Sequence, residues 1–284
     1  MLGWNVKLAI ESALVTSRLL ADERISRETK RGICRAVARL HCLPQGRVPN
    51  PFRMLGYSVT FPDEGHFRYL VDELFRDMSY MFSVATDSPR IIDCGSNIGL
   101  SVLFFKCLFP RAKVTAFEPD PDTFDILLKN IEQNSLQDVA VHCCALADYD
   151  GMIDFHRPSI GNGNLRMSID KERMNEATIS VPTKRLVPFL QERVDLLKID
   201  IEGAEECVLN DLYKSDVFAN VMQMHLEYHH HIHRQKDDLA GILQILETSD
   251  FGYQIRADQR PWPIRGGFQD VSLYAYKKSA FDIQ

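Results

Sequence analysis

Two groups of residues in this 284-residue chain could do chemistry. The first lies in the run I-I-D-C-G-S-N-I-G-L over 91–100, which carries Asp93, Gly95, Asn97 and Gly99. An apolar run that ends at a carboxylate, then a glycine turn, then a new apolar pattern is how a buried strand hands over to a helix. In an open α/β sheet that junction faces the ligand crevice. Glycine at 95 and 99 removes side chains that would hold a ligand away from the backbone, and Asp93 could accept from an ammonium group. A-F-E-P-D over 116–120 then places Glu118 near the ~20-residue offset at which a carboxylate meets the paired hydroxyls of a ribose.

The second group sits further along, in L-L-K-I-D-I-E-G-A-E (196–205) and H-L-E-Y-H-H-H-I-H (225–233). Asp200 and Glu202 follow an apolar run, so both fall at a strand end. Asp200 reads as a substrate-orienting carboxylate or general base. With Glu202 it could instead ligate a magnesium-like ion that acidifies a hydroxyl, or Glu202 and Glu205 could simply serve the positive end of a helix. Lys198 alternates with Leu197 and Ile199 and needs an internal carboxylate, because an isolated buried lysine is costly. Histidine titrates near neutral pH and could take a hydroxyl's proton. His229, His230, His231 and His233 could hold a metal. They follow a strand pattern and not a helical one, and no cysteine spacing helps, so a solvated loop with one useful histidine is preferred and no metal site is assigned.

The glycine turn discriminates between ligands. A dinucleotide site uses G-x-G-x-x-G to bring a helix N-terminus to pyrophosphate. Here the turn is G-S-N-I-G behind Asp93, a poor host for phosphate. S-adenosylmethionine carries no phosphate, and its ammonium and sulfonium groups suit a carboxylate. The charge logic selects S-adenosylmethionine as the cofactor, with a divalent metal not required.

The elements that must position these groups follow from periodicity. Residues 5–42 show helical spacing, including Val6, Ile10, Leu14, Ile33, Val37 and Leu40, with Ser26 and Thr29 opening a second helix. A strand or turn is expected at Leu55–Phe61, and one amphipathic helix over 66–82 bearing Tyr69, Asp72, Glu73 and Tyr80. From residue 90, strands ending near Asp93, Glu118, Cys144, Asp200 and Glu227 alternate with helical patterns at 98–109, 122–134, 203–212 and 236–248. That alternation predicts an α/β fold with a doubly wound, mostly parallel sheet. Gly252–Arg256 and Val271–Tyr276 would add an antiparallel hairpin edge, for seven strands in all. Residues 151–182 read as a loop or small hairpin insertion whose Gly161–Asn164 stretch could cover the site.

Composition bounds the rest. The chain is 45% hydrophobic and 25% charged with net charge −6, so no basic excess advertises nucleic acid, and none is expected as partner. The seven cysteines show no metal-type spacing and fit a reducing compartment. With no run near the ~20 apolar residues of a membrane span, a cytoplasmic protein is expected.

Residues 66–228 resemble the FkbM family of S-adenosylmethionine-dependent methyltransferases. The resemblance is carried by I-I-D-C-G-S-N-I-G-L-S, A-F-E-P-D-P-D-T-F-D-I-L-L-K-N, C-A-L-A-D and D-L-L-K-I-D-I-E-G-A-E, in that order. It implies the Rossmann-like class I methyltransferase fold and O-methylation of a small-molecule, sugar or polyketide hydroxyl. It also implies Asp93, Gly95, Asn97 and Gly99 around the methionine portion, Glu118 on the ribose, and Cys144 with Ala145 near the adenine. Many such enzymes have an acidic residue just after the third strand, whereas here Ala145 and Leu146 precede Asp148. The resemblance also picks out Glu227 and His229 for base assistance or substrate binding. Glu202 and Tyr69 are placed on the substrate side. Residues 66–284 form the methyltransferase domain. Residues 1–65 are a helical extension that matches no family motif and could serve as a homodimer arm. N-methylation, or donor binding without turnover, are the alternatives.

Overall fold

The computed structural model describes residues 23, 25–157, 177–230, 238–257 and 269–281. Helix α1 (Arg27–Cys42) begins at Ser26, whose side chain accepts from the Thr29 amide, so the expected N-cap forms. The strand expected near Leu55–Phe61 is a hairpin of β1 (Phe52–Met54) and β2 (Tyr57–Val59). Helix α2 (Glu64–Val71) runs into a π-helical turn over Asp72–Arg76. The single helix expected over 66–82 therefore stops early, and Met78 just beyond it takes a left-handed φ of 54°.

The alternating region follows the periodicity closely. In order come β3 (Arg90–Cys94), α3 (Leu100–Leu108), β4 (Lys113–Phe117), α4 (Pro121–Gln133) and β5 (Val139–His142). Next are β6 (Ala145–Leu146), β7 (Gly151–Arg157), β8 (Ala177–Lys184), β9 (Leu196–Ile199) and α5 (Glu205–Lys214). The chain then forms β10 (Gln223–His230), α6 (Leu239–Thr248), β11 (Phe251–Ala257) and β12 (Gln269–Lys277). Asp120 caps α4 through the Thr123 amide with Pro121 as the first helical residue, and Asp238 caps α6, both favourable starts.

Seven strands form one sheet in the order β11-β12-β10-β9-β3-β4-β5. The four pairs from β10 to β5 are parallel, and β12 pairs antiparallel with both β10 and β11. This is the doubly wound class I methyltransferase arrangement, with the expected hairpin edge. The strand order reverses between β3 and β9, so a crevice opens beyond their carboxyl ends. A small second sheet, β6-β8-β7, comes from the insertion. Residues 158–176, with Gly161–Asn164 among them, lie outside the described residues, as do Val6, Ile10, Leu14, His231 and His233.

Ile33, Leu40, Phe52 and Val59 share one apolar cluster with Phe67, Phe75, Phe104 and Phe105. The buried Asn130 of α4 accepts from the Thr60 amide and donates to the carbonyls of Thr60 and Ile98. The described part of the N-terminal segment is thus packed into the same core as α3 and α4. Among the described residues, no helix is long and apolar enough to cross a membrane.

Candidate active site

The turn after β3 is built from left-handed residues, with φ of 83° at Gly95, 48° at Asn97 and 83° at Gly99. A Cβ on Gly95 would lie 1.8 Å from the Asp200 carbonyl oxygen, and one on Gly99 would lie 2.5 Å from Leu127 Cδ1. Clearance for a ligand is therefore not the main reason for these glycines. They let the ends of β3 and β9, and α3 and α4, approach each other. The Asn97 side chain accepts from the Ile98 amide, and the Asn97 amide donates to Glu118 Oε2 at 2.9 Å.

Asp93 corrects an expectation. It has no exposed surface, accepts from Ser101 Oγ at 2.6 Å and pairs with Lys198 at 3.4 Å. It lies behind the wall of the crevice, where it anchors Lys198 in place of a ligand's ammonium group.

A cavity occupies the switch point. At one end Glu118 stands among Phe117, Cys144, Ala145, Leu146 and Phe155. Its two oxygens accept from the amides of Asn97 and Asp120. Burial, reinforced by the Asp120 charge and opposed by those two hydrogen bonds, pushes its carboxyl up to about 8. At the other end are Glu73, Tyr80, Lys198, Asp200 and Glu202, with Gly95 and Asn97 between. A carboxylate among apolar walls suits an adenosine, and a carboxylate-rich far end suits a sulfonium and an ammonium. The residues present fit S-adenosylmethionine.

The carboxylate-rich end is ordered by two buried side chains, Lys198 and His229. Lys198 Nζ lies 3.3 Å from Asp200 Oδ2, donates to the Gly95 carbonyl at 2.6 Å and sits 5.4 Å from the Tyr80 ring centroid. Burial alone would lower its pKa, but Asp200, Asp93 and Glu73 more than offset that, and it stays a cation. The Tyr80 hydroxyl donates to Asp200 Oδ2 at 3.3 Å. His229, 4% exposed, has its Nδ1 2.8 Å from Glu205 Oε1. Its Nε2 faces Glu202 at 3.2 Å, Asp200 at 3.8 Å and Glu227 at 3.9 Å.

Glu205 is 1% exposed and accepts from the amides of Ile201 and Gly203. Burial would raise its pKa, but the His229 charge and these bonds hold it low. Glu227 is driven well up by burial and then by Asp200, and Glu73 is pushed up to about 7 by the same two causes. One ligand-type atom each from Asp200, Glu202 and His229 fall within 4.8 Å of one another, a spacing a cation could use.

The structure thus brings Gly95, Asn97, Glu118, Cys144, Ala145, Asp200 and Glu202 to one cavity. Gly99 instead caps α3, and His229 stands behind Asp200, Glu202 and Glu227. Tyr69, expected on the substrate side, is 54% exposed and does not line the cavity. Sequence reasoning missed Phe155 as a wall and Glu205 as the partner of His229. An acidic residue in a first helical turn was the available signal for Glu205, but it pointed to the helix dipole.

Residues 93–255 match the model of the methyltransferase FkbM domain. The chain belongs to this family and is a methyltransferase. It is 30% identical over 217 residues to methyltransferase 1 of Beauveria bassiana, covering 68% of this chain and 84% of that one. It is 26% identical to 31-O-demethyl-FK506 methyltransferase FkbM of Streptomyces tacrolimicus, covering 76% and 90% of the two chains. It is also 32% identical over 139 residues to 2-O-methyltransferase NoeI of Sinorhizobium fredii, covering 43% and 56%.

Proposed function

We propose that the chain uses S-adenosylmethionine to methylate a hydroxyl oxygen of a small molecule or glycan. One observation carries the reading: a single cavity joins a ribose-type carboxylate, Glu118, to the carboxylates Asp200 and Glu202, and His229 packs against both of them. The names of two relatives, a 2-O-methyltransferase and a 31-O-demethyl-FK506 methyltransferase, support oxygen as the accepting atom. All seven cysteines are free thiols, which supports a cytoplasmic setting.

The bound donor supplies an electrophilic methyl group on a sulfonium. Glu118 accepts from the ribose hydroxyls. Phe117, Cys144, Ala145, Leu146 and Phe155 enclose the base, and Gly95 and Asn97 border the methionine portion. Asp200 and Glu227 face the acceptor hydroxyl and receive its hydrogen bond, and His229 takes up the proton behind them. The cluster aligns the oxygen and lowers the cost of its deprotonation.

Calorimetry with the donor tests the first half. Glu118→Ala should weaken binding by about tenfold, the loss of one or two hydrogen bonds. Equal affinity would remove the ribose assignment. Labelled donor with a panel of hydroxylated and amino acceptors tests the second half, and label found only on nitrogen would reject O-methylation. A cation at Asp200, Glu202 and His229 is a second reading, favoured by their mutual spacing. If turnover falls after dialysis against a chelator and returns only with magnesium, that reading replaces the histidine base.

A further inference from the structure

Resting on the methyl-transfer reading above, we propose that the face shared by β10, β12 and β11 is the acceptor groove, and that it takes a polyhydroxylated, sugar-like acceptor instead of an apolar alcohol. Pairing places Glu227 opposite Ser272, and Ser272 opposite Arg256. One step along, His225 is opposite Tyr274, and Tyr274 opposite Gln254. Side chains alternate across a strand, so these two rows share one face. The other face carries Leu226, Val271, Leu273 and Ala275, all buried in the core.

Polar residues on a sheet face are ordinary where that face meets water. This face does something more. It floors a second cavity, lined by both polar rows. The cavity is walled by Ser79, Glu73 and Tyr80, and the last two also wall the donor cavity. Glu73 and Tyr80 thus stand between the two volumes, and the Tyr80 hydroxyl donates to Asp200. A molecule seated on the polar rows presents its reacting hydroxyl to that junction.

The chemistry of the rows selects the occupant. An apolar acceptor would strip water from Ser272, Gln254, Arg256 and Glu227 without replacing its hydrogen bonds, at about 1–3 kcal/mol per stranded group. A polyhydroxylated acceptor exchanges water hydroxyls for its own. Sites that hydrogen-bond a substrate hydroxyl discriminate strongly against analogues lacking it. His225 keeps the floor uncharged at this point, because burial lowers its pKa to about 4.

The test uses the full chain and the double variant Gln254→Leu/Ser272→Val, both positions being exposed. Acceptors are methyl glycosides, short oligosaccharides and apolar secondary alcohols of matched size. Wild type should show at least tenfold higher kcat/KM with the sugars. The double variant should raise their KM about tenfold, the loss of one or two hydrogen bonds, with donor affinity unchanged by calorimetry. Faster transfer to the apolar alcohols, or an unchanged KM for the sugars, overturns the proposal. Saturation-transfer NMR of the glycosides with donor-bound protein separates the two layers. Glycoside binding that the double variant weakens, without turnover, keeps the groove and rejects methyl transfer. No glycoside binding rejects the groove whether or not transfer to other acceptors occurs.

Discussion

Glu205 and His229 act as one unit at the residue scale. Glu205 is held by two backbone amides and gives its remaining acceptor capacity to the imidazole. A proton on Nδ1 then leaves Nε2 to exchange protons with Asp200, Glu202 and Glu227. Glu205→Gln keeps the volume but removes the negative charge that holds and polarises the imidazole through Nδ1. Turnover should drop roughly 10²–10⁴-fold, as carboxylate-to-amide variants of carboxylate–histidine pairs do, while donor affinity stays within about twofold because that contact is remote. Normal turnover with an unchanged pH profile would reduce Glu205 to a helix-start carboxylate. Glu73 offers a separate test through stability. Its folded pKa of about 7 lies above the ordinary value of 4.5, so the folded state holds the proton longer. Stability contributed by this group is full below about 4.5 and lost as pH rises toward about 7. Glu73→Gln removes that loss. Its thermal midpoint should gain on wild type by a few degrees, roughly 2–4 °C per kcal/mol, between pH 5 and pH 8. A pH-independent difference would show that Glu73 is solvated.

The turn joining β3 to α3 is the element on which the site depends most. Gly95→Ala meets both a φ of 83° and the Asp200 carbonyl, so the ends of β3 and β9 must separate. Gly46 has a φ of 76° but open space around its Cβ position. Gly46→Ala should cost only about 1 kcal/mol, whereas Gly95→Ala should cost several and abolish donor binding. Similar midpoints for the two variants would refute the close-approach argument. This turn was legible because glycine and a strand-end carboxylate mark it directly, and the parallel strands were legible as short apolar runs. The stop of α2 was not. A π-helical turn keeps Leu74 and Phe75 buried, so the apolar spacing continues past the point where the backbone leaves the α-helix. Asp93 and Glu118 both read as strand-end carboxylates. Only packing separates the one facing Lys198 from the one facing the cavity. The Glu205–His229 pair requires α5 to lie against β10, which no local pattern encodes. Phe155 reaches the cavity from an insertion whose hairpin carries no ligand signature.

Across the whole molecule, the described part of the N-terminal segment packs against the elements that wall the site. Arg68 of α2 donates to the carbonyls of Leu40 and Leu43, and His41 of α1 contacts Asp72 at 2.6 Å. Asp72 opens the π-helical turn that carries Glu73 and is followed by Tyr80, two walls of the donor cavity. Ile33, Leu40, Phe52 and Val59 are each at most 1% exposed, and Phe61 stacks on Phe67 with centroids 4.3 Å apart. Burying a large apolar side chain is worth about 1.5–3 kcal/mol. These residues together then approach the ~5–15 kcal/mol by which a whole domain is stable. Truncation before residue 62 would also strand the Asn130 side chain, which loses its Thr60 partners. A chain of residues 62–284 should therefore lack near-ultraviolet circular dichroism and a cooperative thermal transition, and should bind no donor. If that fragment instead melts cooperatively and binds the donor as the full chain does, the N-terminal segment is an appendage. Glu73 and Tyr80 would then be positioned by α2 and the sheet alone.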